Sequence, residues 1–88
     1  MRKIWSSRSW NEYLAWQDED RKTLRRINTL IKDIERNGVA SGIGKPEPLR
    51  NNLSGWYSRR IDETNRLVYR MVNRDTLEIA QCKGHYDD

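Results

Sequence analysis

The sequence predicts an α+β fold: an N-terminal strand and two helices packed on one face of a twisted, mainly antiparallel sheet. Three observations carry the prediction. Aliphatic residues between Leu24 and Ile34 recur at helical spacing. Three runs rich in β-branched and aromatic residues follow Trp56. Short polar turns separate those runs, which makes them antiparallel neighbours. A chain of 88 residues suffices for one modest core, so residues 1–88 are expected to form a single domain.

Arg2-Lys3-Ile4-Trp5 reads as a short first strand, and Ser6-Ser7 offers hydroxyls able to cap a helix. In that first helix Trp10, Tyr13, Leu14 and Gln17 fall at helical spacing, and Asp18 to Asp20 form a polar break. The second helix carries Leu24, Ile27, Ile31 and Ile34, widened by Leu30, and Asn37-Gly38 supplies its stop. Its basic residues, among them Arg21, Lys22, Arg25 and Arg26, read as a solvated face. Val39 to Pro48 holds two glycines and two prolines and reads as a loop feeding the sheet. Trp56 to Ile61, Leu67 to Val72 and Leu77 to Lys83 are the remaining strands, joined by turns at residues 62–65 and 73–76. With both helices on one side, the other side of the sheet is open. Strands place alternate side chains on that face, and the strands and their flanks carry Arg59, Arg60, Arg66, Arg70 and Lys83, so a basic open face is expected.

Seven leucines, seven isoleucines and three valines are few for a folded chain, but four tryptophans and four tyrosines complete a core. Trp5, Trp10 and Trp16 are expected to pack against the helices. Seventeen Lys and Arg against thirteen Asp and Glu give a net charge of +4, which favours a polyanionic partner. A single cysteine, Cys82, excludes an internal disulfide, and its place in a strand makes it a buried small hydrophobe. Neither a signal-peptide pattern nor a membrane-length apolar run is present, so a cytoplasmic location without membrane contact is expected.

If the polyanion is RNA, few residue types are needed for chemistry. The substrate supplies its own nucleophile, because a 2′-hydroxyl can attack the adjacent phosphorus. The protein must then provide a base, a cation for the developing phosphoryl charge and an acid for the departing 5′-oxygen. Glu, Arg and His suffice, with no metal and no cofactor. The one histidine, His85, follows the last strand and precedes Tyr86, while Glu47 is stiffened by a proline on either side.

These residues sit inside stretches that carry a resemblance over nearly the whole chain. Ile4-Trp5-Ser6, Ile27-Asn28, Leu30-Ile31-Lys32, Gly44-Lys45-Pro46-Glu47-Pro48-Leu49, Asn52-Leu53-Ser54-Gly55, Ser58-Arg59-Arg60-Ile61, Arg66-Leu67-Val68-Tyr69 and His85-Tyr86 together resemble the YoeB-type toxins of the RelE superfamily. The resemblance implies a RelE-like fold and an endoribonuclease that cleaves messenger RNA in the decoding site of the ribosome. It implies Glu47 as general base and Arg66 as the phosphate-holding cation, for which a planar fork suits better than lysine. It further implies His85 as acid and Tyr86 as an orienting group, with Lys45, Arg50 and Arg60 contacting RNA. A Phd/YefM-type antitoxin partner and homodimer formation are implied as well.

Two features depart from the family pattern. Asp87 and Asp88 follow the His-Tyr pair, where many family chains stop, and add negative charge beside a phosphate site. Gly84 stands where some relatives carry a larger residue, and its freedom is expected to loosen His85. The alternative function is a non-catalytic RNA- or ribosome-binding module using the same basic face. It explains the charge equally well, but not the simultaneous supply of a base, an acid and a phosphate-binding arginine.

Overall fold

A computed structural model describes residues 1–86. Asp87 and Asp88, the expected acidic extension, lie outside the described residues. Strand β1 (Arg2–Trp5) leads into α1 (Ser7–Glu19) and α2 (Arg21–Asn37), and the sheet is completed by β2 (Glu47–Pro48), β3 (Tyr57–Arg60), β4 (Arg66–Asn73) and β5 (Thr76–Gln81). The spatial order is β1-β5-β4-β3-β2. The three long neighbours pair antiparallel, while β1 joins the far edge parallel to β5, Arg2 facing Thr76 and Trp5 facing Ile79. The fold is thus α+β with a mixed, mainly antiparallel sheet, as predicted.

Local signals set the helix ends. The Ser6 hydroxyl accepts from the Ser9 amide and caps α1. Asp20 caps α2, accepting from the amides of Lys22 and Thr23. The Thr23 hydroxyl bond is the largest of the hydrogen bonds that hold the Asp20 carboxyl below its usual value. Helix α2 buries Thr23, Ile27, Leu30, Ile31 and Ile34 against Leu67, Tyr69, Leu77 and Ile79 of the sheet. Helix α1 differs from its predicted stripe. Ser9 and Trp16 are its buried residues, whereas Trp10 and Leu14 are exposed at 45% and 41%. The reason is that Trp10 joins Trp5 and Tyr13 in a surface aromatic cluster at the β1 edge, with ring centroids 4.7–5.9 Å apart.

The expected loop over residues 39–48 ends in the two-residue strand β2, whose Pro48 is tolerated because β2 is an edge. A single turn of 3-10 helix, Asn51–Leu53, follows it. The loop itself is stapled from below by Arg59, and here the predicted open-face assignment is corrected. Arg59 is fully buried on the helix side of β3. Its guanidinium is satisfied by Asp33, the Tyr69 hydroxyl and the carbonyls of Gly38, Ser41 and Ile43. The Tyr69 hydroxyl in turn donates to the Val39 carbonyl at 2.6 Å. Gly42, at φ +119°, fits only without a side chain: a Cβ there would lie 1.9 Å from Asp33 Oδ2.

One irregularity in β5 decides which residues reach which face. Ile79 faces Tyr69 but Gln81 faces Val68, so Ala80 is an extra residue, a β-bulge. Gln81 is thereby placed on the open face with Val68. Cys82 turns toward the helices, where Trp16 Nε1 donates to its carbonyl and its thiol donates to the Ser9 carbonyl. Burial, reinforced by the charge of Glu12, pushes the Cys82 thiol up to about 12, in keeping with the predicted buried hydrophobe.

Candidate active site

The register carries four residues across the open face in one row. Glu47 faces Ser58, Ser58 faces Val68, and Val68 faces Gln81. A second row begins beside it, with Arg60 directly facing Arg66. Two like charges opposed in this way cost stability, and an anion between them would relieve that cost.

Beyond β5 the chain doubles back over these rows. The Arg66 amide donates to the Gly84 carbonyl at 3.0 Å, and the Gly84 amide donates to Asn65 Oδ1 at 2.8 Å. Gly84 is therefore fixed through both of its backbone groups, contrary to the loosening expected from a glycine. The return path brings Tyr86 over Ser58 and Glu47. Its hydroxyl donates to Glu47 Oε1 at 3.0 Å and lies 3.1 Å from Ser58 Oγ. One hydroxyl proton serves one acceptor, so Ser58 is the donor to Tyr86, and the order of donation is Ser58 to Tyr86 to Glu47. Partial burial is the largest influence on the Tyr86 hydroxyl and, with the hydrogen bond and negative charge of Glu47, keeps it above its ordinary value. The bond from Ser58 and the positive charge of Arg66 oppose that shift.

The predicted site residues are thus distributed as follows. Glu47, Tyr86 and Arg66 converge, and His85 is carried on the same returning segment as Tyr86, exposed to solvent. Part of the Arg66 guanidinium is held by the carbonyls of Asp62 and Asn65, at 2.7 and 3.2 Å, which orients it. Glu47 is exposed, so the site is an open surface. A recess of about 290 Å³ lined by Lys3, Trp5, Tyr13 and Ile31 lies elsewhere, between β1 and the helices. Lys45 and Arg60 are exposed, and the Arg60 amide donates to the Gly44 carbonyl, tying the Lys45 loop to β3. Arg50 is exposed just before the 3-10 turn.

Two further cations expected on the open face are otherwise engaged. Arg70 pairs with Glu78 at 2.8 Å and lies over the Trp56 ring. Lys83 turns to the helix side because β5 ends at Gln81; its Nζ is 5.1 Å from the Trp16 ring centre and 3.2 Å from Glu19. Conversely, Ser58 and Gln81 belong to the site and were not singled out by sequence. Alternation along β3 could have found Ser58, whereas Gln81 depends on the bulge. Among the described residues, no three of His, Cys, Asp and Glu gather in a way that could hold a metal. No helix there is long and apolar enough to cross a membrane.

Two helices covering one side of a five-stranded mixed sheet, with a returning C-terminal segment on the other, define the fold of RelE-like toxins. Residues 5–86 match the family described as YoeB-like toxin of bacterial type II toxin-antitoxin system. The chain belongs to this family. It is similar to toxin YoeB of Escherichia coli K12, 54% identical over 98% of this chain and 100% of that protein. Among solved structures, a YoeB/ParE toxin from Agrobacterium tumefaciens superposes with a TM-score of 0.93 at 40% identity, covering 98% of this chain and all of that one. Staphylococcus aureus YoeB, solved both in a heterotetrameric YoeB-YefM toxin-antitoxin complex and as a dimer, superposes with a TM-score of 0.91 in each. It is 44% and 45% identical in the two structures, with 98% of both chains covered.

Proposed function

We propose that this toxin is an endoribonuclease, one catalytic domain over residues 1–88, that cuts messenger RNA on translating ribosomes in the cytoplasm. The observation that carries the reading is the Ser58-Tyr86-Glu47 hydrogen-bond chain beside the opposed pair Arg60 and Arg66. A carboxylate and two guanidinium groups on one open face, with a histidine on the segment that returns over it, supply the parts that phosphodiester transfer requires.

In the proposed step Glu47 takes the proton of the 2′-hydroxyl, and the freed oxygen attacks the adjacent phosphorus. Arg66, oriented by the 62–65 turn, neutralises the charge growing on the non-bridging oxygens. His85, entering as imidazolium, gives its proton to the departing 5′-oxygen. The P–O5′ bond breaks, leaving a 2′,3′-cyclic phosphate and a 5′-hydroxyl, with one proton moved to Glu47 and one lost from His85. Tyr86 holds the Glu47 carboxylate in place, and its ring offers a stacking surface for a base. Lys45, Arg50 and Arg60 contact the RNA backbone. No metal or cofactor takes part.

The antitoxin is proposed to be of Phd/YefM type, in line with the S. aureus complex, and self-association to a homodimer accords with the S. aureus dimer. A disordered acidic segment folding along the basic face would cover the site and lose its ordering entropy only on binding.

The test adds purified protein to messenger-loaded ribosomes, and to free RNA in EDTA, and maps 3′ ends for wild type, Glu47→Gln and His85→Gln. Cuts on ribosomes by wild type alone are expected, with both variants still bound. No cuts by bound wild type would leave only a binding module, unchanged cuts in Glu47→Gln would remove Glu47 as the base, and cuts abolished by EDTA would bring in a metal.

A further inference from the structure

The mechanism uses His85 and Tyr86, yet both belong to a segment beyond the last strand, where a chain ordinarily frays. Something must hold it. Gln81 is 5% exposed and lies at the end of the row formed by Glu47, Ser58 and Val68. Its amide nitrogen lies 3.1 Å from the carbonyl of Lys83, 2.9 Å from that of Gly84 and 2.7 Å from that of His85. The two N–H bonds of a single NH2 group are thus shared among three successive carbonyls, closing the chain into a tight return. On the opposite side Asn65 accepts from the Gly84 amide. The return needs the left-handed backbone of Gly84, at φ +82°.

We infer that Gln81 is a positioning residue that fixes the path from Lys83 to His85 and so delivers His85 and Tyr86 to Glu47. The inference rests on the proposed nuclease reading for its kinetic consequence, but its structural part stands alone. Only the bulge at Ala80 turns position 81 to this face, so the strand irregularity and the ordered terminus form one device. An amide is the fitting group here. A carboxylate would face three carbonyl oxygens with no proton to give, and an apolar chain of equal length would leave the carbonyls of Lys83 and His85 without this donor.

The experiment compares wild type with Gln81→Met and Gln81→Glu in the full-length protein. Amide hydrogen exchange of Gly84 to Tyr86 is expected to quicken about tenfold or more in both variants, while the amides of β4 and α2 keep wild-type rates. Single-turnover cleavage of ribosome-bound messenger should fall about ten- to a hundredfold, with half-saturation within about twofold of wild type. In a His85→Gln/Tyr86→Phe background the same changes at position 81 should cost nothing further. Unchanged terminal exchange would overturn the inference, as would exchange that quickens equally in every strand, the mark of general destabilisation. If wild type itself does not cut, the nuclease reading fails, and hydrogen exchange by itself decides whether Gln81 holds the terminus.

Discussion

The Tyr86 hydroxyl donates to the Glu47 carboxylate at 3.0 Å across a sequence separation of 39 residues, and the Ser58 hydroxyl supports it from below at 3.1 Å. The bond ties the segment that follows β5 to a carboxylate that β2 has already placed opposite Ser58.

Ser58→Ala removes the donor to Tyr86 without touching the four proposed reacting side chains. Cleavage of ribosome-bound messenger should slow about fivefold to tenfold, the loss of one ordinary hydrogen bond, with ribosome affinity intact. Single-turnover kinetics give the answer, and a wild-type rate would remove Ser58 from the site.

Tyr86 should ionise above the ordinary tyrosine value of 10.0, since burial and Glu47 both favour its protonated form. A folded value raised above the unfolded one stabilises the terminus fully below pH 10 and withdraws that support as pH climbs through the folded value. In Glu47→Gln one of these influences is gone, so the titration moves down. NMR with ring-labelled tyrosine would follow it; an identical curve in Glu47→Gln would mean that the two groups do not interact in solution.

The buried staple under the 38–44 loop should be costly to break. Tyr69→Phe deletes the acceptor of Arg59 Nε and the donor to the Val39 carbonyl. Chemical denaturation is expected to show a loss of about 1–3 kcal/mol. A change within about 0.5 kcal/mol would show that water replaces the hydroxyl freely.

Acid should loosen the same staple. The bond from Arg59 leads the influences that hold the Asp33 carboxyl below its ordinary value of 3.8. Because the folded value is depressed, the stabilisation is complete above pH 3.8 and disappears as pH falls through the folded value. Below pH 3.8 the melting temperature of wild type should therefore drop more steeply than that of Asp33→Asn; parallel slopes would contradict the pairing.

Cys82, buried and raised to about 12, should resist thiol reagents at neutral pH in the folded protein and react promptly in guanidinium. Rapid native labelling, read by absorbance, would show that the contact among Ser9, Trp16 and Cys82 opens readily.

Much of the fold was legible because it rests on local rules. The α2 stripe, the Ser6 cap, the Asp20 break and the three late strands each announce themselves within a few residues. The parts that escaped depend on parity across strands. Arg59 reads as exposed, since arginine is rarely buried, and only Asp33 and the carbonyls of a distant loop make its burial tolerable. Gln81 sits where simple alternation from Ile79 would turn it inward, and the bulge reverses that. The roles proposed for Glu47, Arg66, His85 and Tyr86 rest on resemblance rather than spacing, because no local pattern says that residue 86 returns to residue 47.

The parallel pairing of β1 with β5 carries a consequence for synthesis. The first strand finds its neighbour only at Thr76 to Ile79, nearly the whole length of the chain away. During translation the helices can condense early, but β1 stays unpaired until Thr76 to Ile79 have been made and have cleared the exit tunnel. A polypeptide terminated before residue 76 would leave β1 with no neighbour and would lack the segment that bears His85 and Tyr86, so the proposed site could not assemble on it.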